Sequence, residues 1–141
     1  MKDKIRKQVR SFGYAWNGLK SCIGHEPHLD FHLLAAVIVT VCGWLLGISR
    51  MEWIAVTLCI GMVIAAELFN TAIEKLTDLV SPEWNALAGK VKDVAAGAVL
   101  VTAIAAAVVG LIVFTPHILS LLSITSSCFP QWDTHFSNFL K

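Results

Sequence analysis

The sequence predicts an all-α membrane protein in which one amphipathic surface helix precedes three transmembrane helices. Of the 141 residues, 56% are hydrophobic and only 15% are charged, a composition that is typical of integral membrane proteins. Three apolar stretches approach the roughly 20 residues that a helix needs to cross a bilayer. Because backbone groups in lipid must be hydrogen-bonded within the protein, all three stretches are expected to be helical.

The first 25 residues carry the amphipathic pattern. Apolar side chains recur on one face of the helix at spacings of three and four residues, and lysines and arginines occupy the other faces. This pattern predicts a helix over residues 1–25 that lies in the membrane interface, with its apolar stripe at the acyl boundary. The stripe consists of Ile5, Val9, Phe12, Trp16, Leu19 and Ile23.

Residues 26–115 form the predicted transmembrane core, with spans at about 31–49, 53–80 and 94–115. The first span is nearly free of charge. The second is apolar in its first half and bears carboxylates in its second half. We expect Pro116 to end the third span, because proline in a helix interior removes a backbone hydrogen bond.

The connection after the second span and the tail are less regular. Ser81, Pro82 and Glu83 have the residue types of a helix start, which predicts a short surface helix that breaks near Gly89. The tail over residues 116–141 has mixed polarity and no clear periodicity, and we assign it no function.

Basic residues predict the orientation of the chain in the cell membrane. Six of the eleven lysines and arginines lie in residues 1–20, and Lys75, Lys90 and Lys92 flank the second connection, whereas Arg50 alone marks the first. The positive-inside rule therefore places the amino terminus and the second connection in the cytoplasm of a multi-pass protein. A net charge of +1 gives no indication of nucleic-acid binding.

Four polar side chains share one face of the second span: Glu67, Asn70, Glu74 and Asp78. At about 100° per residue they fall within roughly a quarter of the helix circumference. A carboxylate at membrane depth is costly and marks an active site or an ion path. Glu67 lies two to three turns deeper than Asp78, where a desolvated carboxylate can accept a proton at neutral pH.

Other charged residues near the predicted cytoplasmic interface fit nucleotide chemistry. Glu26 precedes the first span, and together with Glu74 it would supply two oxygen ligands of the kind that Mg²⁺ binds alongside substrate phosphates. Lys92 and Asp93 precede the third span, where exposed backbone N–H groups also favour anions. Since the chain lacks a Walker-type or kinase glycine loop, any nucleotide site must be built differently.

Two segments resemble the signature of a known family. Residues 67–74 read Glu-Leu-Phe-Asn-Thr-Ala-Ile-Glu and residues 92–99 read Lys-Asp-Val-Ala-Ala-Gly-Ala-Val. With Asp78 and Glu26 at matching spacings, they resemble the small bacterial membrane lipid kinases, the diacylglycerol kinase and undecaprenol kinase family. The resemblance covers about residues 7–115 and also includes Gly13, Tyr14, Gly18, Phe31 and His32.

The resemblance implies a homotrimer whose active sites are shared between neighbouring subunits. It implies that Glu67 is the general base toward a lipid alcohol, that Glu26 and Glu74 bind Mg²⁺, and that Asn70 lines the site. Asn85 stands where many relatives carry histidine, so the chain departs from the family pattern at this implied nucleotide contact. The implied nucleotide contacts are Lys7, Tyr14, Glu26, Glu74, Glu83, Asn85, Lys92 and Asp93, and the implied site-lining residues include Phe31, His32 and Asp78.

The sequence-based hypothesis is therefore ATP- and Mg²⁺-dependent phosphorylation of undecaprenol or diacylglycerol. An alternative is a small proton- or cation-coupled transport subunit that uses Glu67, Asn70 and Glu74 as a relay. A third hypothesis, a catalytically inactive membrane adaptor, gives no reason for the chain to bear the desolvation cost of these carboxylates.

Overall fold

The computed structural model describes residues 2–128 of the chain, with side chains from residue 4 to residue 123. Within this range the chain forms four α-helices and no strand, which confirms the predicted fold class. The helices are α1 (Lys2–Cys22), α2 (Pro27–Leu46), α3 (Arg50–Val80) and α4 (Ala86–Cys128).

Helices α2, α3 and α4 are each long and apolar enough to cross a membrane, which confirms the three predicted membrane helices. Helix α3 packs along α4, whereas α2 contacts α3 much less and barely touches α4. We call the ends where α2 begins, α3 ends and α4 begins the inner ends, and the opposite ends the outer ends.

Helix α1 leaves its apolar stripe uncovered. Ile5, Val9, Phe12 and Trp16 are all more than half exposed. An apolar stripe with basic residues beside it is the pattern of a helix that lies on a lipid surface. The structure thus gives α1 a face that the rest of the described chain does not bury.

A tight turn joins the outer ends of α2 and α3. Gly47 ends α2 with φ 64°, a left-handed conformation that glycine adopts without steric cost. Ser49 then caps α3, with its side chain accepting from the Glu52 backbone N–H while the Glu52 carboxylate accepts from the Ser49 N–H. Gly43 permits close packing beneath the turn, since a Cβ there would lie 3.1 Å from the Trp53 ring.

A small core holds the outer ends of α3 and α4 together. Ile48, Val56 and Val113 are buried and pack against one another. One turn further out, His117 Nε2 lies 3.2 Å from Glu52 Oε1 and joins α4 to the first turn of α3. These contacts fix the register of the antiparallel pair at this end.

The predicted helix start at Ser81 is wrong. Residues 81–85 are not helical, and α4 begins at Ala86 and continues through Gly89 without a break. The physical reason is the side chain of Asn85, whose Oδ1 accepts hydrogen bonds from the next free backbone N–H groups, among them Leu87 N at 2.8 Å. Asparagine is among the best helix-capping residues, and here it competes successfully with Ser81.

The expectation that Pro116 ends the third span is also wrong, because α4 continues through it to Cys128. Proline removes one backbone donor, and transmembrane helices tolerate that loss where neighbouring groups compensate. His117, the residue after the proline, contacts Glu52 of α3. Of the predicted tail 116–141, residues 129–141 lie outside the described residues.

Candidate active site

The polar face of α3 is buried midway along the helix. Glu67 is 3% exposed, Asn70 7% and Thr71 4%, so the deepest part of the predicted stripe lies inside the protein. Sequence reasoning missed Thr71, although its position four residues after Glu67 places it on the same helix face. A threonine in an apolar span gives little signal, because its hydroxyl can bond to its own helix.

Two acceptor groups on this buried face have no hydrogen-bond partner among residues 4–123. Asn70 Nδ2 donates to Glu74 Oε1 at 3.0 Å, but Asn70 Oδ1 is buried and accepts no hydrogen bond from the described residues. The Glu67 carboxylate has no hydrogen-bond donor or ion-pair partner among residues 4–123. Buried acceptors are costly when unpaired, so this face is chemically suited to a ligand that carries a hydroxyl.

Glu26 lies against the inner part of α3, but its partner is Lys75. Lys75 Nζ is 2.8 Å from Glu26 Oε1, and this pair ties the start of α2 to the helix that carries Glu74. The sequence predicts Glu26 and Glu74 at one site and does not predict the role of Lys75. Among the described residues no three carboxylate, histidine or cysteine side chains converge as a metal site would require.

A second ion pair joins the inner ends of α3 and α4. Lys92 Nζ contacts Asp78 Oδ1, which brings together two residues that the sequence places at the same interface. The Lys92 side chain remains 35% exposed and that of Asp78 65%, so both stay accessible from the inner side. Asp93 is exposed on the same turn of α4.

The remaining predicted residues are spread around the inner ends. Lys7, Tyr14 and Glu83 are exposed, and no hydrogen bond or ion pair within residues 4–123 joins them to the α3 face. Asn85 serves as the cap of α4. Phe31 and His32 stack edge to face, with ring centroids 5.6 Å apart, one turn into α2.

Comparison with known proteins gives a consistent result. The family model for prokaryotic diacylglycerol kinase matches residues 13–114. Undecaprenol kinase of Bacillus subtilis (strain 168) is 37% identical over 117 residues, which cover 83% of this chain and 95% of that protein.

Two diacylglycerol kinases are also similar. That of Synechocystis is 37% identical over 113 residues, which cover 79% of this chain and 65% of that protein. The diacylglycerol kinase of Escherichia coli (strain K12) is 26% identical over 109 residues, which cover 77% of this chain and 89% of that protein.

The fold and the carboxylate-bearing face of α3 define a helical membrane enzyme. The chain belongs to the prokaryotic diacylglycerol kinase family, and it is accordingly a lipid kinase.

Proposed function

We propose that the chain transfers the γ-phosphate of ATP to the hydroxyl of a membrane lipid alcohol, undecaprenol or diacylglycerol, with Glu67 as general base and Mg²⁺ as cofactor. The observation that carries this proposal is the buried face of α3, where the Glu67 carboxylate and Asn70 Oδ1 have no hydrogen-bond partner among residues 4–123. A lipid hydroxyl bound on this face would donate its single proton to one of these acceptors, the Glu67 carboxylate.

The chemistry follows from that placement. Glu67 takes the hydroxyl proton, the hydroxyl oxygen attacks the γ-phosphorus in line, and the bond to the bridging oxygen of ADP breaks. Phosphoryl transfer depends mainly on positioning and on charge neutralisation. Because Glu67 is 3% exposed, water has little access to compete with the lipid hydroxyl for the phosphoryl group.

The carboxylates at the inner end suit Mg²⁺. Glu26 and Glu74 offer hard oxygen ligands, and Mg²⁺ is commonly held by one or two carboxylates together with waters and substrate phosphates. Glu26 is paired with Lys75, so Mg²⁺ would bind there by replacing or joining this ammonium group, and Asn70 orients Glu74 through its 3.0 Å hydrogen bond. When bound there, Mg²⁺ would neutralise phosphate charge.

Nucleotide recognition is assigned to the inner face of the molecule. Lys92 is half-buried there, and its ammonium group is suited to phosphate oxygens. Asp93 stands beside it. The further nucleotide contacts that we propose are Lys7, Tyr14, Glu83 and Asn85. Phe31, His32 and Asp78 would line the site, with Asp78 at the inner end beside Lys92.

The assembly and the orientation are part of the same proposal. A homotrimer would complete each site with residues of a neighbouring subunit and would cover part of the apolar surface that a single chain leaves exposed. Residues 1–25 would act as the interfacial helix and residues 26–115 as the kinase core, with the amino terminus in the cytoplasm. This orientation brings ATP to Lys92 and lipid to Glu67.

The test is transfer of labelled phosphate from ATP to undecaprenol and to diacylglycerol, assayed side by side in detergent micelles. We expect a labelled lipid product with at least one alcohol in the presence of Mg²⁺ and its loss after chelation by EDTA. No product with either lipid, from protein shown to be folded, would contradict the proposal.

A further inference from the structure

An apolar groove runs along the inside of the helix bundle. It has a volume of about 370 Å³ and lies between α2, α3 and α4, within the range of about 300–1,000 Å³ that is usual for ligand sites. Because α2 and α4 barely touch, the groove is open on that side. Small side chains leave the space free, including Ala35, Ala103, Ala107 and Gly110.

The groove begins where the buried polar face ends. Val63 lines it and lies one helical turn outward from Glu67 on the same face of α3. Since α3 and α4 are antiparallel and meet at the pairs Asp78–Lys92 and Val56–Val113, Ala103 lies at the level of Glu67. From Ala103 the lining of α4 extends to Phe114, a distance of about 16 Å at 1.5 Å per residue.

We propose that this groove binds the hydrocarbon chain of the lipid alcohol and that its outer part, around Gly110, determines which chain lengths are accepted. The inference rests on the proposed kinase activity and adds to it the position of the substrate tail. The hydroxyl lies at Glu67 and the chain runs outward past Val63 and Ala107 within one subunit.

The two adjoining regions together specify an amphiphile. The inner end offers two acceptors that no residue among 4–123 pairs, the Glu67 carboxylate and Asn70 Oδ1, and the groove itself is lined almost entirely by carbon. A lipid alcohol supplies a hydroxyl for the first region and hydrocarbon for the second. A helix from a second copy of the chain could also fill the apolar space. Its packing there would not in itself place a hydroxyl at Glu67.

The experiment narrows the outer part of the groove. A Cβ added at Gly110 meets no atom within 4 Å, and Gly110 lines the groove, so Gly110→Leu adds bulk at a position with open space around it. The matched control is Ala105→Leu, an equally bulky change at an exposed position of the same helix that does not line the groove. Both variants are assayed as full-length protein in bicelles with two prenols. One is geraniol, whose chain is short enough to end before it reaches Gly110, and the other is undecaprenol.

The readout is the ratio of kcat/KM for undecaprenol to that for geraniol. We expect Gly110→Leu to lower this ratio roughly tenfold or more, because displacing even one methylene group from an apolar pocket costs about 10- to 200-fold. Ala105→Leu should keep the wild-type ratio.

An unchanged ratio in Gly110→Leu would overturn the proposal while leaving the kinase assignment intact. An equal loss of kcat/KM with both prenols, together with a changed assembly mass in light scattering, would show that a second copy occupies the groove. That result would also overturn the proposal. Absence of phosphorylation of either prenol and of diacylglycerol by the wild type would instead refute the kinase function itself.

Discussion

Replacing Glu67 by glutamine removes the proposed base while preserving its shape. The side chain is 3% exposed, and a general base contributes about 10²- to 10⁴-fold to rate, so we expect kcat to fall by at least about 100-fold. Nucleotide binding should survive, because Glu67 lies about 10 Å along the helix from Glu74. Thermal stability should not fall, since a neutral amide costs less to bury than an unpaired carboxylate.

The assay is initial-rate phosphate transfer to a lipid alcohol, with ATP binding measured separately by calorimetry. Glu52→Gln is the matched control: it makes the same change in the same helix, about 22 Å further outward, and should keep wild-type turnover. A Glu67→Gln enzyme that turns over at the wild-type rate would refute the assignment of the base. A variant that loses both turnover and ATP binding would indicate a structural role instead.

Three further predictions concern the residues around this face. Asn70→Ala removes the donor to Glu74. Because hydrogen bonds to charged groups are worth about 1.5–3 kcal/mol, we expect the Mg²⁺ concentration that gives half-maximal activity to change by roughly 10- to 100-fold. An unchanged concentration would show that Asn70 does not orient Glu74 for Mg²⁺. Lys92→Gln should raise KM for ATP, whereas Lys90→Gln, an exposed lysine on the same helix turn, should leave KM unchanged. His117→Leu breaks the contact with α3 and should lower the midpoint of thermal unfolding with little effect on KM; equal midpoints would show that the contact is not stabilising.

Local patterns in the sequence predicted the helices and the buried face. The length of a hydrophobic run predicts a membrane helix because backbone N–H and C=O groups in lipid must form their hydrogen bonds within the protein. Helical periodicity placed Glu67 and Asn70 on one face, and both are buried as that depth requires. These properties depend on residues within a few turns of one another, which is the range over which sequence patterns are informative.

Contacts between distant segments were not predictable in the same way. The ion pair of Lys75 with Glu26 depends on how α2 approaches α3, and a lysine one residue after Glu74 has no distinctive spacing. The groove arises because α2 makes few contacts with α4. This arrangement depends on how three helices pack together, so the pattern of one helix does not predict it. The predicted helix start at Ser81 was wrong because two residues suited to capping, Ser81 and Asn85, lie within five residues of each other. In the structure Asn85 is the one that caps α4.

The central claim is that the buried face of α3 serves phosphoryl transfer to lipid. The most direct test uses one set of proteoliposomes that contain full-length protein, undecaprenol and diacylglycerol. The measurement is lipid phosphate formed on addition of Mg²⁺ and ATP, and proton flux is recorded in the same vesicles without ATP. We expect lipid phosphate that disappears in Glu67→Gln and no Glu67-dependent proton flux. Proton flux that requires Glu67, without any lipid product, would contradict the central claim and would favour a transport function.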